Sequence, residues 1–210
     1  MKSLVIIGSG PFLASAAALA RSQRRSFSVV EVHTIDGFIF PLEKVLTSFS
    51  PCDAQIFVAL DARAVNSARS ILIDQVAQAD YSFTSLIAPD SYIAESARIG
   101  TNVYIGSGCH ILEETRIDDG CWLASGVLLD RGAQIGCHAT LGVGTIIGEA
   151  AEVGRNSSLS AGSYVIAGGK VGEYCEWLIG GKLPATLPDR SFFDNVMPQG
   201  ARIYRASRLG

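Results

Sequence analysis

Charged side chains are scarce in this chain, and neither sign of charge dominates. Only 18% of its 210 residues are Asp, Glu, Lys or Arg, and the formal net charge at pH 7 is −3. Surfaces that bind nucleic acid are strongly basic, so this composition argues against such a partner. No apolar run approaches the length of about 18 residues that a membrane-crossing helix needs, so we expect no membrane span.

Cysteine and histidine are also few, and neither is spaced for a metal. The chain has five cysteines without a Cys-x-x-Cys pair, and three histidines. We therefore expect no metal cofactor. An odd number of cysteines fits reduced thiols and predicts a cytoplasmic protein. Cys109, Cys121 and Cys175 recur at a small position of the repeat described next, and we expect them in the core.

The dominant pattern is a period of six residues. Fifteen positions in unbroken register carry Ile, Leu or Val, namely Ile87, Ile93, Ile99, Ile105, Ile111, Ile117, Leu123, Leu129, Ile135, Leu141, Ile147, Val153, Leu159, Val165 and Val171. A small or modest side chain stands four places after each of them. This period excludes an amphipathic helix, whose apolar positions recur at intervals of three and four.

Short strands joined by turns fit this period and stack into a prism. Three hexads close one triangular coil, so the fifteen hexads predict about five coils within residues 85–178. Coils at the usual strand spacing of about 4.8 Å would stack to roughly 24 Å. The aliphatic residue points inward, and the period alone does not give the hand of the coil.

Residues 1–84 and 179–210 have other patterns. In the first segment, strand candidates alternate with helix candidates at 2–7, 12–22, 27–32, 41–47, 55–60 and 64–79. This alternation predicts a small parallel α/β domain of Rossmann-like order. The last segment is punctuated by Gly and Pro, and we expect a C-terminal tail that packs on the prism.

A turn with Gly8 and Gly10 joins the first strand to the first helix. Backbone N–H groups at such a turn can face a phosphate, and Glu31 stands where an acid binds a ribose hydroxyl in dinucleotide sites. A tight turn with a solvated acid is the alternative. Leu13 replaces the third glycine of the fingerprint, and Pro11 removes a donor.

The α/β segment followed by an uninterrupted hexapeptide prism resembles the NeuD/PglD-type sugar acyltransferases. The resemblance spans nearly the full length, with local matches at residues 4–10, at 57–61 followed by Arg63 and Arg69, and at 86–93. It implies a left-handed parallel β-helix, a homotrimer, and an α/β domain that holds a nucleotide-linked amino sugar. It also implies acetyl-CoA in the groove between adjacent helices.

The resemblance assigns candidate binding residues. Those for the sugar nucleotide are Gly8, Gly10, Glu31, Asp36, Asp61 and Arg63. Those for the backbone contacts to CoA are Gly142, Gly144, Ala161 and Gly162, with Lys170, Lys182 and Arg202 for its phosphates. A solvated charge is the alternative for each of the three basic residues.

The chain departs from the family at the proposed general base. The family has a His there, usually preceded by an acid, whereas this chain has Asp130 and Arg131. A guanidinium stays protonated and accepts no proton at neutral pH. One coil away on either side stand Glu113 and Glu149. Arg131 therefore either neutralises an acidic ladder or faces the acyl carbonyl or a substrate phosphate.

Three routes remain open for the proton of the attacking amine. His138 is the first candidate base, and Asp130 is the second, because a partly buried carboxylate can accept a proton. The third route needs no base, since an amine bound in its neutral form attacks the thioester directly. Thr140 occupies the place of the family's second His.

The leading hypothesis is a CoA-dependent acyltransferase that moves acetyl, or a related acyl group, to a nucleotide-linked amino sugar. Such enzymes supply surface polysaccharide or protein glycan pathways. An O-acetyltransferase acting on a sugar or polyol is one alternative. A non-catalytic trimeric scaffold that lost the catalytic His is the other.

Overall fold

The computed structural model describes residues 2–34, 38–62 and 64–202, and its first part is a parallel α/β unit. Its elements are β1 (Ser3–Gly8), α1 (Gly10–Ser22), β2 (Phe27–Glu31), α2 (Glu43–Ser48), β3 (Ala54–Ala59), α3 (Ser67–Gln78) and β4 (Ser82–Phe83). The four strands are parallel and neighbour one another in the order β2-β1-β3-β4. The predicted alternation of strands and helices is confirmed.

Strand β1 is the centre of this unit. All of its residues except the first are buried, which explains why its sequence is a continuous apolar run rather than an alternating one. It pairs with β2 on one side and β3 on the other. The carboxyl ends of these three strands therefore form the crevice in which open α/β sheets bind ligands.

The following residues form a parallel β-solenoid with three faces. The first face holds β5 (Leu86–Ile87), β8 (Tyr104–Ile105), β11 (Trp122–Leu123), β14 (Thr140–Leu141), β17 (Ser158–Leu159), β20 (Glu176–Trp177) and β23 (Ser191–Phe193). The second holds β6 (Tyr92–Ile93), β9 (His110–Ile111), β12 (Leu128–Leu129), β15 (Ile146–Ile147), β18 (Ser163–Val165) and β21 (Gly181–Lys182). The third holds β7 (Arg98–Ile99), β10 (Arg116–Ile117), β13 (Gln134–Ile135), β16 (Glu152–Val153), β19 (Lys170–Val171) and β22 (Thr186–Leu187). A final strand, β24 (Ala201–Arg202), pairs antiparallel to β23.

The predicted inward column forms the core of the solenoid. Ile117 pairs with Ile135 and Leu123 with Leu141, and all four side chains are at most 1% exposed. Cys109, Cys121 and Cys175 are buried in the same core, as expected from the repeat. The strand pairing is consistent with the left-handed β-helix that the resemblance implies.

The prediction of five coils is wrong, because the solenoid has about six turns. Trp177 and Leu187 continue the inward column by pairing with Leu159 and Val171. Leu187 lies two positions before the residue that a strict period would place there, so this coil is shorter than the others. The shortening breaks the sequence register while the parallel pairing continues.

Three corners separate the faces, and they differ in the residues that make the turn. Between the first and second faces, the left-handed residue is always glycine, at Gly108, Gly126, Gly144, Gly162 and Gly180. We call this column the glycine ridge. A Cβ on Gly144 or Gly162 would meet nothing within 4 Å, so the backbone conformation rather than crowding favours glycine there.

At the two other corners the left-handed position holds glycine in some coils, as at Gly120 and Gly132, and a residue with a side chain in others. The second corner, between the second and third faces, includes Asp130 and Arg131. The junction corner, between the third and first faces, includes His138 and Asn156, with φ values of 61° and 59°. Within the described ranges, no helix has the length and apolar content that a membrane crossing requires.

The alternation along each solenoid strand is testable on β13. Replacing Ile135, which is 1% exposed in the core, with Ala should lower the free energy of unfolding by about 2–5 kcal/mol, because it leaves a cavity. Gln134→Ala, on the outward side of the same strand, is the control and should change it by less than about 0.5 kcal/mol. Chemical denaturation measures both, and equal effects would contradict the assigned orientation.

Candidate functional site

The α/β unit is fixed to the first face of the solenoid by aromatic stacking. The ring of Trp122 lies between Tyr104 and Phe12, with centroid distances of 3.8 and 4.2 Å. Phe12 belongs to α1, so this stack joins the first helix to strands β8 and β11. Stacked aromatic pairs add roughly 0.5–1.5 kcal/mol to the burial of their surfaces.

A buried amide fixes β3 to the solenoid as well. The side chain of Asn102 accepts a hydrogen bond from the Val58 backbone N–H at 2.6 Å and donates to the Val58 carbonyl at 3.1 Å. Val58 lies beyond the short pairing with β4, so Asn102 satisfies backbone groups that the sheet leaves unpaired. The position of the strand ends is therefore set by the solenoid.

A cavity of about 500 Å³ lies at the carboxyl ends of β1, β2 and β3. It is lined by Ser9, His33, Thr34, Phe38, Phe40, Leu60, Asp61, Ala64 and Ala68. Its size falls within the usual range of ligand pockets, and its lining includes both polar groups and aromatic rings. The cavity is therefore the candidate binding site of the α/β unit.

Of the sugar-nucleotide candidates, the structure places Asp61 in the wall of this cavity, and Gly8 and Gly10 on either side of Ser9, which also lines it. A Cβ on Gly8 would lie 1.9 Å from the carbonyl oxygen of Ala59, so no side chain fits there. Gly10 begins α1 with a φ of +63°. The Glu31 carboxylate lies 3.4 Å from His33 Nε2, and Asp61 lines the cavity. Asp36 and Arg63 lie outside the described residues.

The N-terminus of α1, which carries a partial positive charge, lies at one end of the cavity. Ser9 is the N-cap residue, is 5% exposed and lines the cavity, yet its side chain makes no capping hydrogen bond. The first turn of the helix contains no acidic residue. Uncapped N–H groups at a helix N-terminus favour an anion, so this end of the cavity suits a phosphate.

Sequence reasoning missed the aromatic part of the cavity. Phe40 is 5% exposed and Phe38 is 42% exposed, and both line the cavity after β2. The signal was a short apolar cluster that continues neither a strand nor a helix. His33, which follows β2, is exposed and also borders the cavity.

Arg131 forms an exposed ion pair at the second corner. Its Nη2 lies 3.0 Å and its Nε 3.3 Å from Glu149 Oε1. The hydrogen bond to Glu149 raises the pKa of Arg131, and the charges of Glu114 and Glu113 act in the same direction. Asp130 Oδ1 accepts the Arg131 backbone N–H at 2.8 Å. Arg131 thus stays charged and cannot act as a base.

His138 lies at the junction corner, one face away from Arg131. Its ring covers Gly120, and its Nδ1 is buried without a hydrogen-bond partner among the described residues. Burial, followed by the positive charge of Arg69, lowers the pKa of His138 to about 4. The imidazole is therefore neutral at pH 7 and is a weak proton acceptor.

The candidate CoA residues do not all lie together. Gly144 and Gly162 are on the glycine ridge, Ala161 precedes Gly162, and Gly142 directly follows β14. The N–H groups of Gly142, Gly144 and Gly162 already donate to carbonyl groups of the solenoid at 2.8–3.0 Å. The ridge thus offers a smooth surface rather than free donors.

The three basic candidates for the CoA phosphates occupy different places. Lys182 is exposed on β21 of the second face, beside the upper end of the ridge. Lys170 is on the third face, where its Nζ lies 3.0 Å from Glu152 Oε1. Arg202, on β24, donates to the Asp189 carbonyl at 3.4 Å. The structure brings only Lys182 close to the ridge.

The candidate residues therefore divide among the three corners of one chain. Asp130 and Arg131 lie at the second corner, His138 at the junction corner, and the CoA glycines on the ridge. Among the described residues, no group of three or more His, Cys, Asp or Glu side chains is placed to hold a metal ion.

Comparison with solved structures places the fold. PerB from Caulobacter crescentus, in complex with CoA and GDP-perosamine, matches with a TM-score of 0.54 and 20% identity over 91% of this chain and 93% of that chain. This chain therefore shares the fold of PerB. The parallel β-solenoid expected from the sequence resemblance is thus confirmed, with about six turns rather than five.

Two other solved structures are more distant. The acetyltransferase domain of PglB from Neisseria gonorrhoeae, with acetyl coenzyme A, has a TM-score of 0.45 at 22% identity and covers 91% of this chain and 95% of that chain. WeeI from Acinetobacter baumannii has a TM-score of 0.44 at 17% identity and covers 79% of this chain and 97% of that chain. No protein-family model and no curated protein matches the chain.

The buried state of His138 predicts a pH-dependent stability. Its pKa falls from 6.5 to about 4 on folding, so between these values the unfolded chain binds more protons than the folded one. Stability contributed by the neutral ring is present above pH 6.5 and is lost as the pH falls toward 4, with a slope of up to about 1.4 kcal/mol per pH unit.

Chemical denaturation of the wild type and His138→Gln across this window measures the effect. The variant should lose this part of the slope while its stability above pH 7 changes less. Identical pH profiles for the two proteins would contradict the buried, neutral state.

Proposed function

We propose that this chain is a CoA-dependent acyltransferase that moves acetyl, or a related acyl group, to the amine of a nucleotide-linked sugar. The observation that carries the proposal is the cavity at the strand ends of the α/β unit, fixed on a solenoid of the PerB fold. PerB is described in complex with CoA and GDP-perosamine. The two ligands account for the two kinds of surface found here, a polar and aromatic cavity and a smooth ridge.

The sugar nucleotide occupies the cavity in this proposal. The phosphates lie at the start of α1, near Gly8 and Gly10, where the helix N-terminus favours negative charge. Phe38 and Phe40 offer apolar surface to the base. Asp61 lines the same space and can accept hydrogen bonds from hydroxyl or ring N–H groups, and the Glu31 carboxylate lies 3.4 Å from His33, which also lines it.

A homotrimer is supported by the difference between the faces. The second face exposes Tyr92, Ile146 and Tyr164, which are 50%, 42% and 39% exposed. The outward positions of the third face are polar, and the first face is covered by the α/β unit over much of its length. An exposed apolar stripe on one face only marks an interaction surface, and here we propose further copies of the same chain.

Three-fold symmetry brings separate corners of different chains together. When each chain turns its second face to the axis, the glycine ridge of one chain adjoins the second corner of the next. The cleft between them is then lined by Gly144 and Gly162 from one chain and by Asp130 and Arg131 from the other. We place acyl-CoA in this cleft, with Lys182 near its phosphates.

The chemistry follows from this arrangement. The neutral amine of the sugar attacks the thioester carbonyl, so an N–C bond forms and the C–S bond breaks. The proton that the nitrogen loses passes to the Asp130 carboxylate, and CoA leaves as a thiolate that takes a proton from water. The charged Arg131 stabilises the oxyanion of the intermediate. His138 is not the proton acceptor in this arrangement, because its ring lies at the junction corner, whereas Asp130 lies at the second corner that lines the proposed cleft.

Release of free thiol from acetyl-CoA tests the function. The acceptors are UDP-, dTDP- and GDP-linked amino sugars, and the corresponding hydroxy sugars test O-acetylation. We expect turnover with at least one amino sugar. Absence of thiol release, together with absence of CoA binding in calorimetry, would contradict the proposal that the protein is an enzyme.

A scaffold without activity is the second candidate, and the replacement of the expected base by Arg131 favours it. Binding of CoA and of a sugar nucleotide without thiol release would select it.

Asp130→Asn tests the proton acceptor. It should lower kcat by on the order of 10²-fold or more, because the amide cannot accept the proton. The matched comparison is His138→Gln, which should change kcat by less than about tenfold, since we assign the ring no proton transfer. A larger loss of kcat from the His138 variant than from the Asp130 variant would reverse the assignment.

Ile146→Glu tests the assembly. Three copies of a carboxylate placed on an apolar contact should convert the trimer to monomers in sedimentation experiments, because the charge loses its hydration. Gln134→Glu, on the polar third face, is the control and should remain trimeric. A monomeric wild type, or a trimeric Ile146 variant, would contradict the proposed interface.

A further inference from the structure

Arg69 is a fully buried cation that the proposed reaction does not use. Its side chain is 0% exposed, and burial lowers its pKa only to about 10, so it stays charged at pH 7. Buried charges are retained when hydrogen bonds satisfy them, and removal of one partner is costly. The location of its hydrogen-bond partners therefore shows which parts of the structure Arg69 connects.

The guanidinium joins the cavity wall to the solenoid. Nη1 donates to the carbonyl of Leu60, which lines the cavity, at 3.2 Å. Nη2 donates to the carbonyl of His138 at 2.7 Å and to the Thr140 hydroxyl at 2.9 Å. One side chain thus contacts both the pocket of the α/β unit and the coil that carries His138.

Asn66 makes a second connection from the same wall. It lies in the turn before α3, is fully buried, and adopts a left-handed φ of 57°. Its Nδ2 donates to the Asn156 carbonyl at 3.0 Å and to Ser158 Oγ at 2.9 Å. Residues 64–69 are therefore held by the solenoid as well as by their own unit.

Thr140 links these two residues. Its hydroxyl donates to Asn66 Oδ1 at 2.7 Å and accepts from Arg69 Nη2 at 2.9 Å. The hydroxyl thus uses its single proton as a donor and its oxygen as an acceptor within this group. Thr140 therefore has no proton left to donate to an acyl carbonyl. We call Thr140, Asn66 and Arg69 the clasp.

We propose that the clasp is a positioning device, in which Thr140, Asn66 and Arg69 hold the cavity wall at a fixed offset from the solenoid so that a bound acceptor meets the acyl donor. The effect of the clasp on catalysis rests on the proposed acyl transfer. The clasp residues contact neither reactant in this proposal. They act through Leu60 and its neighbours, which border the acceptor.

The matched pair Thr140→Val and Thr140→Ser tests the clasp. Valine keeps the shape and removes both hydrogen bonds, whereas serine keeps the hydroxyl. Amide hydrogen exchange in residues 64–70 should be faster in the valine variant and close to wild type in the serine variant. Unchanged exchange in the valine variant would overturn the proposal, whether or not the protein is active.

Kinetics separate positioning from simple support of the fold. At 25 °C, below any melting transition, Thr140→Val should lower kcat by about tenfold or more, since a misplacement of 1 Å can cost on the order of 10²-fold. Calorimetric affinity for UDP, dTDP or GDP, whichever binds the wild type, should stay within about threefold. Thr140→Ser should restore kcat.

Two outcomes overturn the positioning role. One is a normal kcat in a folded Thr140→Val protein, and the other is an equal loss of kcat and of nucleoside diphosphate affinity. If valine prevents folding, Arg69→Lys replaces it, because lysine keeps the charge but loses the forked contacts. If the wild type releases no thiol, that result contradicts only the proposed function. The hydrogen-exchange comparison still tests whether the clasp holds the cavity wall.

Discussion

The docking of the α/β unit onto the first face of the solenoid is the constraint on which the rest of the structure depends. Buried polar groups and an aromatic stack make this contact, through Arg69, Asn66, Asn102 and the Trp122 ring. The hydrogen bonds that these buried groups make favour one geometry, because a shift would break them where water cannot replace them. The contact determines where the strand ends open, which corner is covered, and which face remains free.

The free face then determines what the molecule can assemble into. With the first face covered and the third polar, only the second offers an apolar surface to another copy. A three-fold arrangement about that face would unite the glycine ridge with Asp130 and Arg131, which lie on different corners of one chain. The division of candidate residues among the corners is thus an argument for assembly rather than against activity.

Much of this architecture could be predicted from the sequence because the solenoid repeats. Equivalent residues 18 positions apart pair with one another, so a column such as Ile117 and Ile135 is evident in the sequence before the fold is known. The repeat also placed Arg131 beside Glu149, and the ion pair between them is present. The short coil before Leu187 could not be predicted. A strict period of six assigns the wrong residues to the inward column after any turn that is shortened.

The details of the site were harder to predict because they depend on contacts between distant segments. Arg69 would by default be a solvated cation, and only the docking buries it. His138 lies a few residues after Arg131 in the chain, yet the α/β unit covers its corner and makes its ring a poor base. Phe38 and Phe40 line a cavity whose other walls come from residues that follow β1, β2 and β3 and from α3, and no local sequence pattern indicates that these segments meet.

A crystal structure of the protein with acetyl-CoA and a nucleoside diphosphate tests the central claim most directly. We expect three chains about one axis, with the nucleotide in the cavity beside Ser9 and Asp61. We also expect the pantetheine arm between the glycine ridge of one chain and Asp130 of the next. Acetyl-CoA bound entirely within one chain, or on the polar third face, would contradict the account.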